Sequence, residues 1–499
     1  MTADSGTYDV IVVGGGNAAL CAAITAREEG ARVLVLERAP ESERGGNSSY
    51  TEGLMRFVFD GVDEIRALAP DLTDEEVARS DFGTYTEENY FDDMARLTQN
   101  RTDPDLCEIL VKNSNAAVRW LIAHGVRFMP QYGRQAYNVE GKFTFWGGAV
   151  LAAWGAGPGL VSALYKAAEK CGIDIVYNAW VRNLVHGDSG VSGAVAKVNG
   201  TTRTYSARAV VLACGGFEAN AEWRSRYLGP GWDLVKVRGT KYNTGDGLEM
   251  ALKIGAQPWG HWSGCHAIGW ERYAPDFGDL SVTDDLERGC YQFSIFVNAN
   301  GKRFVDEGAD FRILTYAKYG AIVMQQPGQF AWEIYDAKVV HLLRSEYRMK
   351  HVTKVKADTL EELAAKMEDV NGAELLQTIR EFNASVQPGI SFNPNVKDGK
   401  CTRGLALPKS NWANAIDTPP FEAYAVTCGI TFTFGGLRIT RDAQVIDTNH
   451  EPIRGLFAAG EMVGGVFYFN YPGSSGLTSG TVFGRIAGAS AARTAKEMR

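Results

Sequence analysis

The chain has 499 residues, more than one hydrophobic core usually serves, so two domains are expected. Hydrophobic content of 45%, charged content of 22% and a net charge of −8 describe an ordinary globular protein, with no basic stripe that would suit nucleic acid. Eight scattered cysteines (Cys21, Cys107, Cys171, Cys214, Cys265, Cys290, Cys401 and Cys428) include no C-x-x-C, which argues against a zinc site or a disulfide framework, and no metal is expected. The opening MTADSGTYDV lacks a basic segment followed by an apolar one, so no signal peptide is read and the cytoplasm is the expected compartment.

Residues 8–13 read as a strand, 18–29 as a helix and 32–36 as a second strand, a βαβ unit. Between them stands Gly14-Gly15-Gly16-Asn17-Ala18-Ala19, a G-x-G-x-x-A phosphate turn. Gly14 permits the tight turn, Gly16 lets a pyrophosphate touch the backbone, and small Ala19 lets helix and strand pack closely. The helix start offers unpaired N–H groups to phosphate. Glu37, 21 residues beyond Gly16, ends the second strand where a carboxylate can accept both ribose hydroxyls of adenosine. A dinucleotide is therefore expected, and Glu37 repels a 2′-phosphate.

Residues 45–53 form a polar loop, 60–130 look helical, and 159–171 read as another helix leading to strands at 173–177 and 191–198. An apolar strand at 209–213 runs into Gly215-Gly216. Residues 257–420 change character, with more Trp and Tyr and scattered Pro, and predict a second domain. Strands at 437–446 and 455–459 and a helix at 482–496 then return to the first. The expected architecture is α/β: a discontinuous Rossmann-type dinucleotide domain (1–256 and 421–499, with a helical insert at about 60–130), interrupted by an α+β capping domain at 257–420. Two uncharged stretches, 143–165 and 462–484, are broken by glycines and by Pro158 and Pro472. They read as buried loops around an uncharged ring system rather than membrane spans.

The C-terminal part selects FAD among dinucleotides. Residues 453–461 form a strand–turn–acid pattern in which Gly460 and Glu461 face a ribityl chain. The glycine-rich stretch 473–480, with Ser475, Gly476 and Leu477, opens the last helix toward the flavin N1–C2=O edge, where its dipole favours reduction. Gly45, Gly46, Asn47 and Ser48, together with Arg38, Val181, Ala213, Gly215 and Asp246, complete the expected cofactor set.

With these residues in hand, the chain resembles the fumarate reductase and succinate dehydrogenase flavoprotein superfamily. The likeness rests on Gly14 to Ala19 with Glu37, Gly45-Gly46-Asn47-Ser48, 211–216 (VLACGG), 243–247 (NTGDG), 301–307 (GKRFVDE), 433–436 (TFGG) and 483–488 (FGRIAG). It implies FAD, a capping domain, and chemistry in which one carbon exchanges hydride with the flavin while its neighbour exchanges a proton. The superfamily's covalent-flavin enzymes carry a His near Gly45-Gly46; none stands there, so non-covalent FAD is expected. The best overall likeness is to the tricarballylate dehydrogenase subgroup, through GKRFVDEGADFR, GITFTFGGL and FNYPGSSGL.

One departure is informative. Fumarate reductases carry an Arg after the Asn equivalent to Asn470; this sequence has Tyr471. Tyr471-Pro472-Gly473 is similar to 3-ketosteroid Δ1-dehydrogenases, where the Tyr polarises a ketone; the other reading is an aromatic wall for the flavin. Arg312, just past the Gly-Lys-Arg-Phe motif, is read as a proton relay or carboxylate anchor, with a surface ion pair as the plain alternative. Tyr316 or Tyr319 is the expected proton acceptor, and Trp146 and Tyr137 are candidate cavity walls. The leading expectation is an FAD-dependent desaturase of a small carboxylic acid, tricarballylate dehydrogenase-like. The alternatives are a desaturase of a cyclic ketone, an enoate reductase, and a non-catalytic FAD-binding protein. The expected partners are a small-molecule substrate and an electron acceptor that the sequence does not identify.

Overall fold

The computed structural model describes residues 7–498; the first six residues, read above for a leader, lie outside the described residues. Strand Tyr8–Val13 lies between Val33–Leu36 and the second half of Thr201–Leu212, with Val10 opposite both Val33 and Ala209. Asp174–Val176 and Pro452–Ala458 extend this parallel sheet on its two sides. Its inner strands are Val, Ile and Leu runs buried on both faces, as a parallel sheet covered by helices requires. Helix Asn17–Glu28 follows the phosphate turn, and the closing helix Ser475–Glu497 packs on it. A Cβ at Gly484 would stand 2.5 Å from the Ala18 carbonyl oxygen, so the absence of a side chain there lets the two helices meet.

The helical insert is present as Gly61–Leu68, Asp74–Ala78, Glu87–Leu97 and Pro104–Ala123. Thr73 and Thr86 start their helices with capping boxes, and Asp103 caps the longest, whose first residue is proline.

The second sheet is built around Phe421–Leu437. That strand pairs antiparallel with Pro258–Glu271, Phe330–Tyr335 and Lys354–Ala357, and parallel with Lys236–Val237. The sequence places the return to the first domain at residue 421; in the structure Phe421–Leu437, and Lys236–Val237 ahead of residue 257, belong to the second sheet. The run FEAYAVTCGITFTFGGL has the aromatic and β-branched content of a buried strand, but that content does not say which sheet the strand joins. The strand expected at 437–446 shortens to Gln444–Ile446, beside Pro452–Ala458. The two sheets meet at the C-terminal ends of Tyr8–Val13 and Thr201–Leu212, the usual place for a ligand crevice in an open α/β sheet. Among the described residues no helix is long and apolar enough to cross a membrane.

Candidate active site

A cavity runs between the sheets, lined at one end by the phosphate turn and at the other by Tyr316 and Tyr471.

Its phosphate end is the turn Gly14 to Ala18. Gly14 has φ +110°, and a Cβ there would stand 2.4 Å from the Ala213 carbonyl oxygen. The Asn17 N–H donates to Ser48 Oγ at 3.0 Å, tying the helix start to the 45–50 turn. Glu37 is buried, its Oε1 accepts the Ala39 N–H at 2.7 Å, and burial pushes its carboxyl up to about 7. Arg38 reaches across to Asp246 at 2.7 Å and lies over the Trp180 ring. Asn47, Val181, Gly215, Gly460, Glu461, Gly476 and Leu477 face the same cavity, as does Gly46. A chain of backbone without side chains, a buried acid at the ribose position and a second acid at Glu461 is the donor and acceptor set that FAD needs. The residues fit the cofactor.

Three expected contacts are corrected. Ala19 is fully buried under the turn, where it serves packing alone. Gly45 lies against Ser49 and Val161, away from the cavity wall. The Ser475 hydroxyl is taken by Tyr90 at 2.8 Å, leaving Ser474, Gly476 and Leu477 on the wall.

At the other end, Tyr471 and Tyr316 bring their hydroxyls to 2.6 Å from each other, both side chains buried. Tyr471 comes from the 462–484 stretch and Tyr316 from the first turn of helix Tyr316–Met324 in the second domain. The Ser474 N–H also points at the Tyr471 oxygen, at 3.4 Å. Burial raises both phenols above their usual range, while the Arg312 and Arg238 guanidiniums pull Tyr316 back down. Arg312 lies 4.6 Å from the Tyr316 ring centroid. Burial, with Arg344 and Arg134 as neighbouring like charges, lowers the Arg312 guanidinium to about 9. It is a buried cation, so the surface ion pair is excluded.

Tyr319 is corrected: its hydroxyl donates to the Asp306 carbonyl at 2.5 Å and its ring packs on Tyr291, off the cavity. Tyr137 and Trp146 pack on each other in the second domain's core and do not line the site. Of the two uncharged stretches, 462–484 walls the cavity and 143–165 does not.

The sequence reading missed His266 and a buried charge cluster. His266 is 1% exposed, sits edge-on to both Tyr316 and Tyr471 with ring centroids 4.9 Å apart, and neither ring nitrogen has a partner. Burial, with Arg238 and Arg312 beside it, keeps it neutral, well below the usual histidine range. Arg134 meets Glu52 at 2.7 Å, Asp284 at 3.2 Å and Glu287 at 3.1 Å; Arg238 pairs with Asp284, and Arg312 with Glu287. Arg134 also meets Glu346 at 3.0 Å, which pairs with Arg344 at 2.8 Å, so four arginines and four carboxylates cluster at this end. The arginines come from different segments, and Asp284 and Glu287 share one turn, so no local motif carried the signal.

Arg56 braces this end from the first domain. It is 1% exposed, and its Nε donates to the Gly473 carbonyl at 2.8 Å while Nη1 reaches Tyr85 Oη at 2.8 Å and Asp93 at 3.2 Å. Arg56→Met leaves that carbonyl without its donor, while Asp93 keeps Arg96 at 3.0 Å and the Tyr85 hydroxyl at 2.7 Å. A loss of about 1–3 kcal/mol is expected, the cost of leaving a buried acceptor without its donor. It is read as a lower thermal midpoint together with slower turnover, because the Tyr471-Pro472-Gly473 loop loses its anchor.

The family described as FAD binding domain matches residues 9–477. Fumarate reductase (cytochrome) of Shewanella frigidimarina is 31% identical over 98% of this chain and 78% of its own length. The 4-oxocyclohexanecarboxylate 2-dehydrogenase of Sinomonas cyclohexanicum is 27% identical over 97% of this chain and 94% of its own. The open conformation of a flavocytochrome c3 fumarate reductase superposes with TM-score 0.72 at 28% identity, over 98% of this chain and 79% of that one. The chain belongs to this FAD-binding family of fumarate reductase-type flavoproteins and is an FAD-dependent oxidoreductase.

Proposed function

We propose that the enzyme desaturates a small cyclic ketone, removing hydride and a proton from adjacent carbons beside the carbonyl. The observation that carries this reading is the buried Tyr316–Tyr471 hydroxyl pair. Bound FAD, held non-covalently, supplies hydride acceptance at the β carbon. Tyr471 donates a hydrogen bond to the ketone oxygen and stabilises the enolate character that develops there. The Ser474 N–H points at the Tyr471 oxygen and makes the phenol a stronger donor. Tyr316, as its phenolate, accepts the α proton and becomes a neutral phenol, and Arg312 beside its ring favours the phenolate form that acts as the base. The C–H electron pair at the α carbon becomes the new double bond as the β carbon gives up hydride. His266, Phe432 and Phe467 wall off water around the pair.

The charge around the site favours a ketone over a tricarboxylate. The arginines there already have carboxylate partners, so the three negative charges of a tricarboxylate would meet no free cation. The tricarballylate expectation from resemblance therefore gives way to the ketone reading.

Anaerobic mixing tests it. 4-Oxocyclohexanecarboxylate is expected to bleach the flavin absorbance and tricarballylate to leave it unchanged. Bleaching by tricarballylate with none by the ketone would overturn the proposal. The proton acceptor sets the pH dependence. Because the Tyr316 phenol is raised, its base form grows as pH increases, so the bleaching rate is expected to climb into the alkaline range. Tyr316→Phe is expected to remove that climb.

A further inference from the structure

Behind the cofactor side of the cavity, two carboxyls meet with no cation between them. Glu218 is buried, Glu461 is half-buried on the cavity wall, and their side chains hydrogen-bond to each other. Two ionised carboxylates at that separation repel strongly in a low dielectric, so one of them holds a proton. Their other partners show which. Glu461 Oε1 accepts the Thr433 N–H at 2.7 Å and the Thr433 hydroxyl at 3.0 Å, and the carboxylate also receives the Gly216 N–H. Three donors suit a carboxylate. Glu218 Oε1 accepts the side-chain amides of Asn47 at 2.6 Å and Asn243 at 2.7 Å, but Glu218 Oε2, fully buried, has no donor aimed at it. An oxygen without a donor, next to an ionised carboxylate, is where the proton sits.

We propose that Glu218 is a neutral acid that donates from Oε2 to Glu461 and so positions the ionised Glu461 for the cofactor. The inference rests on the reading that Glu461 faces the ribityl chain. The geometry reaches further than that one contact. Through Oε1, Glu218 also holds Asn47, whose Nδ2 donates to the Thr431 carbonyl and whose Oδ1 accepts the Thr240 N–H. One neutral carboxyl therefore ties the 45–50 turn, the Phe421–Leu437 strand and the Glu461 loop together. Gly216 leaves the space for it: a Cβ there would stand 2.2 Å from both Glu461 Oε1 and Thr433 Oγ1. The charged and titratable groups around Glu218 are few. The Arg224 guanidinium is spent on the carbonyls of Glu218, Trp232, Asp233 and Val235, and Cys265 is a buried thiol.

Glu218→Gln is the matched variant, since its amide oxygen can accept from Asn47 and Asn243 and its NH₂ can donate to Glu461. In the FAD-free protein held above neutral pH, where the Glu37 carboxyl at about 7 has largely ionised, infrared difference spectroscopy is expected to show the carbonyl band of a protonated carboxyl. That band should vanish in Glu218→Gln and remain in Glu461→Gln. Loss of the band only in Glu461→Gln, or its absence from the native protein, would overturn the assignment whatever the cofactor does. A second measurement uses linkage. A carboxyl whose folded pKa is raised must gain a proton on folding, and that cost grows as pH rises from its unfolded value toward its folded one. Glu218→Gln escapes the cost. Its thermal midpoint is expected to gain on the native protein progressively as pH rises above the usual carboxyl range. A difference that stays flat with pH would contradict the proposal. A fall in FAD affinity for Glu461→Gln tests the ribityl reading separately.

Discussion

Tyr471→Phe is expected to slow substrate-driven flavin reduction by about 10²–10³-fold, the usual cost of removing one oxyanion-stabilising donor. Bound FAD is expected to be unchanged. The substitution keeps the ring against Phe432 and Phe467 and removes only the hydroxyl that meets Tyr316 at 2.6 Å. Anaerobic rapid mixing measures the rate, and the visible spectrum of the purified protein measures FAD content. Tyr316→Phe is expected to be slow as well, and the double variant to be scarcely slower than the worse single one, because the two hydroxyls act as one hydrogen-bonded unit. If Tyr471 were only an aromatic wall for the flavin, Tyr471→Phe would reduce at the native rate.

Gly14→Val is expected to fold and to purify nearly colourless. Two effects act together at Gly14. Its φ of +110° is one that L side chains rarely adopt, and a Cβ would stand 2.4 Å from the Ala213 carbonyl oxygen in the neighbouring strand. Strain of about 1–3 kcal/mol plus that overlap must be relieved by moving the turn off the phosphate position. FAD affinity is expected to fall on the order of 100-fold, equivalent to about 2.7 kcal/mol. Gly30→Val is the control. Gly30 also has positive φ, at +83°, but a Cβ there meets nothing within 4 Å and the site is remote from the cavity. It is expected to keep its FAD. Equal FAD loss in both variants would show general strain rather than damage to the phosphate turn.

The parts of the site legible in the sequence are those carried by short, contiguous pieces of chain. The phosphate turn is set by strand, glycines and helix within a dozen residues, and Glu37 follows at the end of the next strand. Gly460 to Glu461 and Gly476 to Leu477 were likewise readable, because a strand end or a helix start fixes where their backbone points. Tyr471 stood out because it replaces an expected cation in a recognisable loop.

Other features needed the third dimension. Tyr316 and Tyr319 are one turn apart on the same helix, and only the packing of that helix on Pro258–Glu271 turns one toward the cavity and the other to Asp306. His266 sits in a buried strand whose pattern explains an apolar residue and gives no hint of an imidazole aimed at two phenols. Arg134, Arg238 and Arg312 lie far apart in sequence, so their convergence on Glu52, Asp284 and Glu287 is invisible until the sheets close. The shifted domain boundary has the same origin. Phe421–Leu437 forms hydrogen bonds with strands on both sides, and strand composition does not encode its partners.

The central claim is that the Tyr316–Tyr471 pair activates the hydrogen beside a ketone. Proton NMR of 4-oxocyclohexanecarboxylate incubated in D₂O with enzyme whose FAD has been chemically reduced tests it most directly, because net oxidation is then blocked. The account predicts enzyme-dependent exchange of one α hydrogen for deuterium, lost in Tyr471→Phe and in Tyr316→Phe. Exchange that proceeds equally in native enzyme and in Tyr471→Phe would contradict it.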